Sequence, residues 1–207
     1  MQQQQTGHIA RRLAIIASVL VLAACSGPRT SPTYRNPDSR GFAQDAMARG
    51  PLPVVVQGVP FAQAEARTQQ VVLESMRQAM SWTATPRLIA DPSLKATAPL
   101  YVVMTFNSGA MDANVQCTLP PGGGGPQEQG AVQVAASFCG GGSLISNTSG
   151  RIDRAAGPDD PAFGQLIAQV TSDLFPSTFQ PRPGVGFGVG IGSGGWSGGG
   201  AGVGVGF

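Results

Sequence analysis

The side chains able to do chemistry are few, and their spacing excludes most familiar arrangements. His8 is the single histidine and Lys95 the single lysine of 207 residues. A Ser-His-Asp triad, a Cys-His pair or a His-ligated metal site needs an imidazole inside the folded protein. His8 instead stands in an N-terminal segment ahead of a long apolar run. Lys95 lies in Asp91–Pro99 (DPSLKATAP), a polar, proline-flanked stretch. A solvated ammonium is expected there, not the desolvated amine of Schiff-base chemistry. Paired carboxylates can do acid–base work, and the adjacent acids are Asp159 and Asp160. They immediately precede Pro161 and an apolar stripe, so their simpler role is to cap a helix and favour its dipole. Gly190–Gly195 (GIGSGG) matches a dinucleotide fingerprint in letters alone, because no helix pattern and no acid follow it. No catalytic residue, metal ligand or cofactor is expected.

The three cysteines carry more. Leu13–Ala24 (LAIIASVLVLAA) is an uncharged apolar run behind Arg11 and Arg12. It is shorter than the ~20 residues of a spanning helix and has the layout of a secretory signal. Its end, Leu22-Ala23-Ala24-Cys25, resembles the lipobox of bacterial lipoprotein signal peptides. The resemblance implies cleavage before Cys25, a diacylglycerol thioether on its sulfur and acylation of its new amine. Ser26, in the next position, implies sorting to the outer membrane by the usage of such families. Loss of Arg11 and Arg12 leaves eleven Lys+Arg against eleven Asp+Glu. A neutral chain without a basic cluster has no electrostatic footprint for nucleic acid. Export also places Cys117 and Cys139 where disulfides form. A bond between them would stabilise the fold by about 3–3.5 kcal/mol through loop entropy and pin the Gly/Pro-rich segment Pro120–Gly130.

These residues need a scaffold, and the patterning supplies one. Charged residues are 12% of the chain, while Gly 30 and Pro 17 mark long irregular stretches. Residues 1–24 read as the signal peptide and 25–51 as the lipidated N-terminus and a flexible tether. Residues 52–180 read as the domain, and 181–207 as a Gly-rich apolar tail. The tether (Ser26–Gly50) would span roughly 25–30 Å as a coil, with a short helix near Phe42–Ala48. Within the domain, Leu52–Gln57, Arg87–Ala90, Leu100–Phe106, Val115–Leu119, Val132–Cys139 and Ser143–Asp153 read as strands. Phe61–Met80 and Pro161–Phe175 have helical spacing. The expected fold is α+β: an antiparallel sheet of four to five strands with two helices on one face.

In the tail, Val185, Phe187, Val189 and Ile191 alternate with glycine, and the pattern resumes at Ala201–Phe207. It is either disordered or a hairpin. Pro53–Phe61 (PVVVQGVPF), Val102–Asn107, Ala135–Cys139 and Leu174-Phe175-Pro176 resemble uncharacterised alphaproteobacterial outer-membrane lipoproteins. That resemblance implies location, not mechanism: a non-catalytic structural or adaptor module, lipid-anchored on the periplasmic side of the outer membrane. Its partners would be the membrane, through the lipid, and envelope proteins or further copies through the tail. The alternative is an oligomeric, membrane-inserting component. There the tail, which ends in phenylalanine as outer-membrane barrel strands do, contributes a hairpin to a shared barrel, as in the curli-secretion lipoprotein. Two strands cannot close one alone.

Overall fold

Leu100–Phe106 alternates so regularly that both faces of one strand can be assigned, and the fold is built around it. The computed structural model describes residues 27–91, 93, 98–108, 113–118 and 123–177. Residues 1–24, read above as a signal peptide, lie outside them, as do Cys25, Lys95 and residues 181–207. Six strands form one sheet in the order β1-β6-β5-β4-β2-β3. They are β1 (Arg29–Tyr34), β2 (Leu52–Gln57), β3 (Leu88–Ile89), β4 (Leu100–Phe106), β5 (Val132–Gly140) and β6 (Ser143–Ile152). The described helices are α1 (Ser39–Arg49), α2 (Glu65–Ala79), α3 (Ala113–Thr118) and α4 (Pro161–Leu174).

The α+β class stands, but the sheet is mixed, not antiparallel throughout. β4–β5, β5–β6 and β1–β6 are antiparallel, whereas β2 runs parallel to β3 and to β4. The cause is α2: a helix that follows β2 carries the chain back to the same end of the sheet, so the next strands run in the same direction. The expected helix start at Phe61 moves to Glu65. Gln63 holds φ at +56°, a left-handed conformation that a helix cannot propagate through.

Two further expectations are corrected. Val115–Leu119 is not a strand, for Ala113–Thr118 forms the helix α3. Its β-branched residues gave the strand signal, and tertiary contacts override it. Ser26–Gly50 is not a free tether either, for it contains β1 and α1. Pro32 fits in β1 because an edge strand leaves one side of its backbone unpaired. Ala43 and Met47, four apart on α1, enter the core. Arg35 forms an ion pair with the buried Asp173 of α4, and Arg40 donates from Nε to the Phe175 carbonyl at 2.9 Å. Both contacts span more than a hundred residues of sequence, which no local pattern reveals.

Residues at even positions of β4 and β5 face inward: Val102, Met104 and Phe106, with Val134, Ala136 and Phe138 opposite. Helices α1, α2 and α4 cover this face. Phe163 of α4 sits between Phe61 and Phe106, with ring centroids 5.0 and 5.7 Å away. Gly58, Gly123 and Gly124 meet where β2 and β4 end. A Cβ on Gly123 would lie 2.0 Å from the Gly58 nitrogen, and one on Gly124 would lie 2.0 Å from the Asn107 carbonyl oxygen. Only glycine permits that approach, which explains part of the glycine in Pro120–Gly130.

Candidate functional site

The outer face of the sheet divides into a covered half and an open half. Odd positions of β4 and β5 point outward. Near the β2 side, Val55, Tyr101, Val103 and Cys139 are buried beneath Cys117 of α3. A six-residue helix is marginal alone, so it needs fastening. The Cys117–Cys139 disulfide, with Cα atoms 5.6 Å apart, ties α3 to β5. Tyr101 donates its hydroxyl to the Cys117 carbonyl at 2.5 Å, and burial raises its pKa. Gln116, 1% exposed, reaches down to the sheet. Its Nε2 donates to Thr105 Oγ1 and to the Ala135 carbonyl, both at 3.1 Å, and its Oε1 accepts from Ser137 Oγ at 2.5 Å. A buried amide so satisfied holds one geometry, because losing any partner strands a polar group.

Beyond α3 the floor drops to small residues and opens into a groove of about 480 Å³. Cross-strand register sets its rows. Arg29, Arg151 and Gln133 form one row, and Ser31, Ser149, Ala135 and Thr105 the next. Asn147 stands opposite Ser137 in the row after that. Asn107, at φ +51°, closes the near end: its Oδ1 accepts from the Gln133 amide at 2.9 Å and its Nδ2 donates to the Gly125 carbonyl at 2.9 Å. The buried Asn147 Oδ1 has no hydrogen-bond partner among protein atoms.

Arg29 and Arg151 are direct cross-strand neighbours on one face, which is destabilising for like charges without a counter-charge. Asp153 supplies it, 2.7 Å from Arg151 and 3.7 Å from Arg29. The Arg151 hydrogen bond is the main cause that holds the Asp153 carboxyl below its ordinary pKa. Two guanidiniums share one carboxylate, so this end of the groove keeps one net positive charge.

The structure joins Cys117 to Cys139 as expected. It does not bring Asp159 and Asp160 into one reactive site. Asp159 accepts from Arg67 Nε at 2.8 Å, and Asp160 caps α4 by accepting from the Ala162 amide at 2.9 Å. Among the described residues, no group of three or more His, Cys, Asp or Glu could hold a metal ion. Nor is any described helix long and apolar enough to cross a membrane. The groove residues escaped sequence reasoning. Arg29 lay in the presumed tether, Gln116 in a presumed strand, and nothing local marks Arg151 as the neighbour of Arg29.

No family model matches the chain, and no curated protein matches it. Among solved structures it is similar to the PelC dodecamer from Paraburkholderia phytofirmans. Sequence identity is 16%, coverage is 71% of this chain and 97% of that one, and the TM-score is 0.41. A single-substitution variant of that dodecamer gives 14% identity, 70% and 96% coverage, and a TM-score of 0.39.

Proposed function

We propose that this chain is a non-catalytic cell-envelope lipoprotein, held on the periplasmic side of the outer membrane by lipid on Cys25. Its folded part serves as a binding or adaptor module. The observation that carries the reading is the apolar run ending in Leu22-Ala23-Ala24-Cys25. The buried Cys117–Cys139 bond supports it, since such bonds persist in oxidising compartments. More than one acyl chain gives stable anchoring, at about 0.8 kcal/mol per buried methylene. The outer-face groove is the recognition surface, and its lining of hydroxyls, amides and two arginines suits polar or anionic groups.

The test is intact mass spectrometry of the native protein, joined to metabolic labelling with palmitate. The reading requires an N-terminal acylated cysteine and label that Cys25→Ala abolishes. Separation of the two membranes on a density gradient then assigns the location. Protein that starts at another residue, without acyl mass, refutes the anchor.

A further inference from the structure

The lipid-anchor reading and the fold together fix how far the domain can stand from the bilayer. Cys25 and the first residue of β1, Arg29, are four residues apart. At ~3.6 Å per residue, their Cα atoms cannot separate by more than about 14 Å. That is half the stand-off a free 25-residue tether would give. The constraint bears on one particular corner of the sheet, where β1 begins and β6 ends. Arg29 and Arg151 meet there on the outer face, with Asp153 as their shared counter-charge. Their side chains are 64% and 56% exposed, so both guanidiniums are open to a ligand.

We infer that the Arg29–Arg151 end of the groove is a headgroup site: it takes the phosphate of an anionic phospholipid in the same bilayer that holds the acylated Cys25. The inference rests on the lipid-anchor reading for proximity and on the structure for chemistry. A guanidinium pair suits phosphate because each presents a fork of donors to its oxygens. The neighbouring Gln133 and Ser149 are exposed and add neutral polar groups beside the phosphate. Asp159 and Asp160 are engaged elsewhere, on Arg67 and on the backbone at the start of α4. Asp153 is the internal competitor, so removing its charge strengthens the site.

The experiment uses the full mature chain with Cys25→Ser, exported behind an ordinary leader, so that acyl chains contribute nothing to binding. Its partition is measured onto vesicles of phosphatidylcholine with and without phosphatidylglycerol. Binding should require the anionic lipid. Arg29→Gln and Arg151→Gln should each weaken it about fivefold, the worth of one arginine near an anionic surface. Asp153→Asn should strengthen it by a similar factor. All three positions are exposed, and a cooperative melt confirms that each variant folds, with Asp153→Asn expected to melt somewhat lower because two neighbouring guanidiniums lose their counter-charge. Equal partition onto both vesicles, or an Asp153→Asn variant no tighter than the parent, overturns the inference. So does tighter binding of soluble glycerol phosphate than of the anionic vesicles, which would make the ligand a free phosphate rather than a membrane lipid. Acylation is read separately from the mass of the native protein. A missing acyl group therefore refutes the anchor, and an indifferent vesicle titration refutes the headgroup site.

Discussion

Replacing Cys117 and Cys139 together by alanine removes the covalent tie between α3 and β5 and nothing else of comparable strength. The two cysteines are 22 residues apart. Loop entropy for that separation gives about 3.4 kcal/mol at 25 °C. For a folded unit of about 150 residues, an unfolding entropy near 2.1 cal/mol/K per residue converts this to a fall in Tm of about 10 °C. The loss should also be local before it is global. α3 keeps Gln116 and the Tyr101 hydroxyl as its remaining fastenings. Amide hydrogen exchange at Val115–Thr118 should therefore accelerate more than exchange in β4 and β5. Both cysteines are buried, at 2% and 0% exposure, so reductant alone should leave the native bond intact until the protein unfolds. Thermal melting by circular dichroism, with exchange read by mass spectrometry, measures both effects. A Tm within about 3 °C of the parent, or exchange at α3 unchanged, would refute the claim that the bond fastens α3 over the sheet.

Other perturbations follow from the same contacts. Gln116→Leu strands the buried Thr105 and Ser137 hydroxyls. Unpaired buried groups cost about 1–3 kcal/mol each, so denaturant unfolding should show a loss of at least about 2 kcal/mol. Phe163→Ala empties the site between Phe61 and Phe106 and should cost about 3–5 kcal/mol by the same assay. Asp160→Ala removes the α4 cap, worth about 1 kcal/mol near neutral pH. Backbone donors from Ala156 and Ala162 lower the folded pKa of Asp160 below 3.8. The stabilisation is thus present above the unfolded value and fades as pH falls through the folded one. The gap between variant and parent should narrow only in that acid range. Gly123→Ala drives a Cβ into the backbone of Gly58 and should prevent a native melt, whereas Gly125→Ala, with open space around it, should not.

What the sequence made legible was whatever one segment decides alone. Leu100–Phe106 alternates cleanly and forms β4 with those bounds, and Asp160-Pro161 marks the start of α4. What it concealed depended on distant partners. β1 is an edge strand carrying Pro32, polar residues and one aromatic, and it is a strand because β6 pairs with it. α3 has strand-forming residues and is a helix because the disulfide and Gln116 hold it against the sheet. The parallel pairing of β2 followed from the position of α2 in the chain order, which was visible, but the antiparallel expectation ignored it. The groove was illegible for the same reason as β1: Arg29 and Arg151 become neighbours only through register.

The most direct test of the proposed lipid anchor and its short leash is neutron reflectometry of the native protein on a supported bilayer. The account requires the protein layer to abut the headgroups, with no water gap wider than the about 14 Å that four residues allow. A resolved gap of about 25–30 Å, the span of a free coil, would contradict it, as would a protein that fails to remain on the bilayer.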